Sequence, residues 1–227
     1  ITLSHGSLTD FVAGGNNYSL SFDEGSYGEI PGSDVFSNLD DFSFSIWIKL
    51  NSDAVTSNLS NTDATHFIIN KDHWPTYSNA NWHLRYYRNT DTGNDYLEWY
   101  LDVDGSGSIN GLALNTDLAN VLDNQWHYIS CTREKSTGEQ KFYIDGELID
   151  SGIGGTSTII SPEKIVLSRH VYLSCCGLYG KLDEFSFWND VLTSSQIQYY
   201  MSTSLSGSET GLVGYWNFNE NSGSTLT

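Results

Sequence analysis

Apolar residues in this chain come in short bursts with a period of two. The clearest burst is 42–50, in which Phe42, Phe44, Ile46, Ile48 and Leu50 alternate with Ser43, Ser45, Trp47 and Lys49. Such alternation places one set of side chains on each face of a β-strand. The same reading predicts strands at 18–22, 27–30, 66–71, 81–88, 96–103, 164–168, 180–188 and 212–218. It also predicts a hairpin over 126–150 with Ser136-Thr137-Gly138 at its turn, and a further turn at Asp145-Gly146. Residues 51–65, rich in Asn, Ser, Thr and Asp, read as a loop. Only one stretch carries helix signals: Thr193 is a good N-cap and Gln196 completes a capping box, predicting a helix over 193–201.

Composition agrees with an all-β chain. There are 21 glycines and 14% aromatics against 3 prolines and 1 methionine. Short strands between Gly, Asn, Asp and Ser clusters are the pattern of a sandwich. At 227 residues the chain is long enough for one good-sized core, so a single domain over 1–227 is expected.

Two segments carry a family resemblance. The run WHYISCTREKSTGEQKFYIDGELI, from Trp126 to Ile149, resembles the central hairpin of concanavalin A-like jelly rolls in their laminin-G-like and pentraxin branch. GKLDEFSFWNDVLTSSQIQYY, from Gly180 to Tyr200, is similar to the strand and short helix that follow in those families. The resemblance spans roughly 200 residues and implies an antiparallel two-sheet jelly-roll sandwich with one short helix. It also implies that the chain is a fragment of a larger surface protein, because related proteins continue past the strand in GLVGYWNFNENSGSTLT.

Charge narrows the choice of partners. Ten Lys and Arg face 28 Asp and Glu, a net charge of −18. Such a surface repels nucleic acid and anionic membranes and favours solubility in a salty medium. No apolar run approaches ~18 residues, so no membrane insertion is expected.

The cysteines are Cys131, Cys175 and Cys176. An odd count leaves at least one thiol without an intramolecular partner. A bridge from Cys131 to Cys175 or Cys176 and a vicinal Cys175–Cys176 bridge both stay open. Pentraxins staple two adjacent strands with a disulfide; the resemblance puts its two ends at Ser45 and Ser130, so that staple is absent here.

Three regions are candidate sites. By resemblance to laminarinase-like glucanases, Asp23, Gly28 and Asp183 are the expected ligands of a structural calcium ion, supplying two carboxylates and a backbone carbonyl. DVDGSGSINGLA, from Asp102 to Ala113, looks like a calcium loop at Asp102, Asp104, Ser106 and Gly107. It carries Ala113 where a bidentate Glu is needed and follows a strand, so a hairpin turn is the better reading. The third region is a sugar platform. Period-two counting puts His83, Arg85 and Tyr87 on one face of one strand, and Glu98, Tyr100, Asp102 and Asp104 on one face of the next, with Leu97, Trp99 and Leu101 inward. If the strands are neighbours, rings and paired polar groups share a surface suited to a glycan. Trp74 and Tyr77 would form its rim. Cross-strand pairing of Arg85 with Glu98 and of Tyr87 with Tyr100, serving only the sheet, is the competing explanation.

Catalysis is not expected. Asp102 and Asp104 are ~7 Å apart on one strand face, a separation glycosidases use. However, the glucanase pattern Glu-x-Asp-x-x-Glu is missing, and the six histidines lack ligand spacing. Ser168-Arg169-His170-Val171 holds no carboxylate, so a pentraxin-type phosphocholine site is not implied either. The sequence therefore points to an extracellular or cell-surface binding module for glycans that holds structural calcium. The runner-up is a structural or adhesive module of a surface protein, fibre or virion, making protein–protein contacts.

Overall fold

The computed structural model describes residues 2–4, 7–9, 18–23, 25–33, 36, 38–59, 65–71, 81–89, 91–103, 111–160, 163–170 and 176–219. In chain order the elements are β1 (Thr2–Ser4), β2 (Ser7–Thr9), β3 (Ser19–Phe22), β4 (Tyr27–Ile30), β5 (Asn38–Leu39), β6 (Phe42–Leu50), α1 (Ser52–Leu59), β7 (Thr65–Lys71), β8 (Asn81–Arg88), β9 (Asp95–Asp102) and β10 (Leu112–Asp117). They continue with β11 (His127–Arg133), β12 (Glu139–Ile144), β13 (Glu147–Ile153), β14 (Ile159–Ile160), β15 (Ile165–Leu167), β16 (Gly180–Trp188), α2 (Ser194–Ser202) and β17 (Leu212–Trp216).

Two large antiparallel sheets form the expected jelly-roll sandwich. One runs β1-β4-β15-β7-β8-β9-β10; the other runs β13-β12-β11-β6-β16-β3-β2, with β17 also on β16. The core lies between them because the alternation is obeyed. Phe42, Phe44, Ile46, Ile48 and Leu50 of β6 are fully buried, as are Trp82, Leu84 and Tyr86 of β8 and Leu97, Trp99 and Leu101 of β9. Rings interlock in this core: Phe44 stacks on Trp82 across the gap at 5.2 Å, and Phe42 stacks on Phe187 of the neighbouring strand at 5.6 Å. In β16 the register shifts between Asp183 and Ser186, and Glu184 takes φ 52°. That bulge resets the alternation, so Leu182, Phe185 and Phe187 all join the core.

Helix α2 forms where the capping box placed it. Thr193 Oγ1 accepts from the Gln196 N–H, and Gln196 Oε1 accepts from the Thr193 N–H. Ile197 on α2 packs with Tyr128, Tyr143, Trp188 and Leu192 against the outer face of the eight-stranded sheet. Helix α1 is a correction, since 51–65 read as a loop. Val55 is fully buried, and Asn51 Oδ1 caps the Ala54 N–H at 3.0 Å. One side chain anchored in the core, with caps from Asn51 and from Asn124, suffices for a helix this short. No helix among the described residues is long and apolar enough to cross a membrane.

Cys131 is free and lies in the core opposite Phe44, so the bridge from it to Cys175 or Cys176 is not made. Cys176 is disulfide-bonded.

Candidate functional site

The face read from the sequence as a sugar platform is assembled by the register of three strands. β8 and β9 pair directly, with His83 opposite Tyr100, Arg85 opposite Glu98 and Tyr87 opposite Tyr96. The inward positions on both strands are large apolar residues, so the alternate set must face out. Tyr87 therefore pairs with Tyr96 rather than Tyr100, while the Arg85–Glu98 pair is as read from the sequence. β7 joins on the other side of β8, placing Phe67 opposite Arg85 and Asn70 opposite His83.

A row of rings runs across this face. His170 meets Phe67 edge-on at 5.0 Å, Phe67 meets His83 edge-on at 5.3 Å, and His83 stacks on Tyr100 at 5.1 Å. Beside it, the Arg85 guanidinium sits 4.7 Å from the centre of the Tyr87 ring, and Tyr87 and Tyr96 are 5.7 Å apart.

Glu98 holds the two rows together. Its Oε1 accepts from Arg85 Nε at 2.7 Å, with Arg85 Nη2 also at 2.7 Å and His83 Nε2 at 3.5 Å. Burial works to raise the Glu98 pKa, but the His83 hydrogen bond and the Arg85 charge outweigh it and hold the carboxyl below its usual range. Arg85, Tyr87, Tyr96 and Tyr100 stay partly exposed, while His83, Phe67 and Glu98 are buried supports. A half-open arginine held beside tyrosine rings offers fixed donors and a stacking surface together.

The remaining candidates divide. Asp102 lies on this face by alternation but is fully buried. Trp74, Tyr77 and Asp104 lie outside the described residues, as does most of the loop after Asp102. Sequence reading missed Tyr96, Phe67 and His170. Tyr96 shares the phase of Glu98 and Tyr100 and was findable. Phe67 was not, because a register shift between Phe67 and Ile69 breaks the count on β7.

The calcium ligands expected from resemblance are not brought together. Gly180 pairs with Phe22 and Leu182 with Leu20, so Asp23 lies beyond one end of that ladder and Asp183 beyond the other. The offset is four residues along β16, roughly 13 Å. Gly28 belongs to the opposite sheet, paired with Leu167. Donors around one calcium each sit 2.3–2.6 Å from it, so these three do not fit a single ion. Asp183 is fully buried, its Oδ1 accepts from the Glu184 N–H at 2.9 Å, and its Oδ2 has no partner. Burial and then the Glu184 charge push its pKa up to about 8. Among the described residues, no group of three or more His, Cys, Asp or Glu is placed to hold a metal ion.

Known proteins share this architecture. A 1.50 Å crystal structure of a candidate carbohydrate-binding protein from Bacteroides ovatus matches all of the chain and 55% of its own length, at 15% identity and TM-score 0.62. The receptor binding domain of botulinum neurotoxin D matches 88% of the chain and 46% of its own, at 21% identity and TM-score 0.60. Domain 4 of an extracellular arabinanase from Geobacillus stearothermophilus, in complex with arabinotriose, matches 88% and 82%, at 16% identity and TM-score 0.60. At these identities the likeness is one of fold. In sequence, the rat sushi, von Willebrand factor type A, EGF and pentraxin domain-containing protein 1 is 28% identical over 118 residues, which are 48% of this chain. The mouse protein of the same name is 27% identical over 123 residues, and the matched region is 3% of the length of either relative. A model of the concanavalin A-like lectin/glucanases superfamily matches residues 22–198, and the chain belongs to that family.

Proposed function

We propose that this domain is a non-catalytic glycan-binding module of an extracellular or cell-surface protein. Its binding surface is the outer face of β7, β8 and β9. The observation that carries this reading is the partly exposed set of Arg85, Tyr87, Tyr96 and Tyr100 on one face, in which Arg85 packs on Tyr87, Tyr87 on Tyr96 and Tyr100 on His83, with Arg85 oriented by buried Glu98. Tyrosine rings suit sugar C–H surfaces, and a fixed guanidinium suits pairs of hydroxyls. Fold neighbours named for carbohydrate binding, and one holding arabinotriose, support the reading. The pentraxin-containing relatives support the extracellular setting. Glycosidase chemistry needs two available carboxylates. On this face Glu98 is committed to Arg85 and His83, and Asp102 is fully buried. The reading calls on no calcium ion.

A single shallow site of this kind should bind at roughly 0.1–1 mM, and repeats of the module would raise avidity. The test is a glycan array followed by titration of Arg85→Ala and Tyr100→Ala. Both variants should lose retention while keeping the parent's circular dichroism, with Arg85→Ala melting lower because it leaves the buried Glu98 carboxylate without its main partner. Retention equal to the parent sinks the reading.

The second reading, an adhesive module making protein contacts, has its own observation. β13 is an edge strand of the eight-stranded sheet, and Leu148 and Ile153 on it are 51% and 69% exposed. Exposed apolar side chains along a sheet edge favour association with another chain. An array with no retained glycan, together with self-association that Ile153→Lys abolishes, would favour this reading.

A further inference from the structure

In a chain with ten basic residues and 28 acidic ones, a cation without an anion beside it is unexpected. Six of the ten pair with carboxylates: Arg85 with Glu98, Arg88 with Asp95, Lys135 with Asp40, Lys141 with Glu139, and Lys164 and Arg169 with Glu29. Lys71 and Arg133 are buried and donate to backbone carbonyls. Lys49 and Lys181 alone have neither kind of partner among the described residues.

These two lysines are also placed against each other. The register sets Lys49 of β6 directly opposite Lys181 of β16, on the outer face of the sheet. Like charges in that position repel. No carboxylate forms an ion pair with either lysine among the described residues: Ser21, opposite Lys181 on β3, is neutral, Asp183, next on that face of β16, is fully buried and turned to its own backbone, and Asp23, which borders the same cleft, bonds to Ser26.

A cleft opens at this point, with a volume of about 320 Å³. Lys49 and Lys181 line it with Asp23, Asn51, Asn124 and Tyr179. The first turn of α1 also borders it through Ala54. Asn51 Oδ1 and Asn124 Oδ1 already accept from the N–H groups of Ala54 and Ser52, so the helix contributes its field rather than free donors. Asp53 in the first turn of α1 offsets the helix field, so the positive charge in the cleft is that of the two facing ammonium groups, with Asp23 at its border. The volume exceeds what a lone ion needs, and the Tyr179 ring gives a wall for a sugar.

We infer that this cleft takes the anionic group of an acidic sugar, a carboxylate or a sulfate ester, between Lys49 and Lys181. The sugar ring lies against Tyr179, and Asp23 accepts from a hydroxyl. The inference shares with the proposed function only the premise that the domain meets glycans; its residues lie on the other sheet.

Isothermal titration of the full chain tests it. The probes are a carboxylated galacturonate oligomer, a sulfated carrageenan oligomer, a neutral arabinan oligomer and inorganic sulfate. One or both acidic oligomers should bind, more weakly at high salt. Lys49→Gln with Lys181→Gln should weaken that binding at least tenfold. The double variant should melt no lower than the parent, because a repulsive pair has gone. The conservative pair Lys49→Arg with Lys181→Arg should keep most of the affinity. Any binding of the neutral arabinan oligomer should be the same in the Gln variant as in the parent, which separates this cleft from the outer face of β7–β9. Undiminished binding by the Gln variant overturns the inference. So does inorganic sulfate binding as tightly as the oligomers, which would make the cleft a simple ion site.

Discussion

Ser45 and Ser130 face each other in register across β6 and β11, and their buried hydroxyl oxygens are 2.7 Å apart. This is the position at which the resemblance to pentraxins places a disulfide. A hydroxyl pair joins the strands there instead. Directly opposed residues of antiparallel strands have Cα atoms about 4.5–5.5 Å apart, inside the range a disulfide spans. Ser45→Cys with Ser130→Cys should therefore oxidise and stabilise the domain by about 2–4 kcal/mol. Calorimetry with and without reductant checks it. A melting temperature indifferent to reductant would mean that the strands do not allow the bond.

Arg133 is fully buried at the end of β11. Its guanidinium donates to the carbonyls of Asp40, Gly155 at 3.1 Å and Ser157 at 2.7 Å. It joins the turn before β6 to the segment after β13. Arg133→Met keeps the volume but leaves three carbonyls without their donor. The expected loss is about 3 kcal/mol or more, read as a lower urea midpoint at unchanged slope. A loss below about 1 kcal/mol would mean that water replaces the guanidinium without penalty.

His127 lies between two carboxylates. Nδ1 is 2.8 Å from Asp145 Oδ2 and Nε2 is 3.0 Å from Asp123 Oδ1. The hydrogen bond to Asp145 first, then that to Asp123, raises the His127 pKa against the opposing effect of burial. The folded state thus binds a proton more tightly than the unfolded chain. The resulting stability is complete below the unfolded pKa of about 6.5 and is lost as pH rises through the folded value. The melting-temperature gap between the parent and His127→Gln should be widest near pH 5 and shrink toward pH 8. A gap independent of pH would show that the clamp does not depend on charge.

Period-two alternation made both the sandwich and its outer face legible. On β8 and β9 no bulge interrupts the count, so His83, Arg85, Tyr87, Glu98 and Tyr100 share a surface as expected. The count failed where the register shifts, at Phe67 on β7 and after Asp183 on β16. Helix α1 was hidden because its Ser, Asp and Asn residues favour loops locally, and only tertiary burial of Val55 selects the helix. The Lys49–Lys181 pairing could not be read at all, because it depends on which strands become neighbours over 132 residues of chain. The joint calcium site failed for the same reason: resemblance located residue types, whereas strand register decides distances.

Glu98 supplies the sharpest test of the glycan surface, because it acts through Arg85 rather than by touching ligand. It is 4% exposed, and its Oε1 anchors the Arg85 guanidinium. Glu98→Gln is nearly isosteric and keeps an acceptor, but it removes the charge that holds the fork. Arg85 should then sample other rotamers, and oligosaccharide affinity should fall about tenfold, or 1.4 kcal/mol. Because the folded Glu98 pKa is depressed, its contribution to stability is present above the unfolded value near 4.3 and is lost as pH falls through the folded one. At pH 7 the variant should therefore also melt lower than the parent, with the two curves converging in acid. Arg85→Lys should lose a similar affinity by a different route, since an ammonium cannot present two parallel donors. The double variant should lose little more than either single one, because both remove the same oriented fork. Additive losses would mean that Glu98 reaches the sugar by itself, and parent-like binding by Glu98→Gln would mean that Arg85 needs no partner to hold its place.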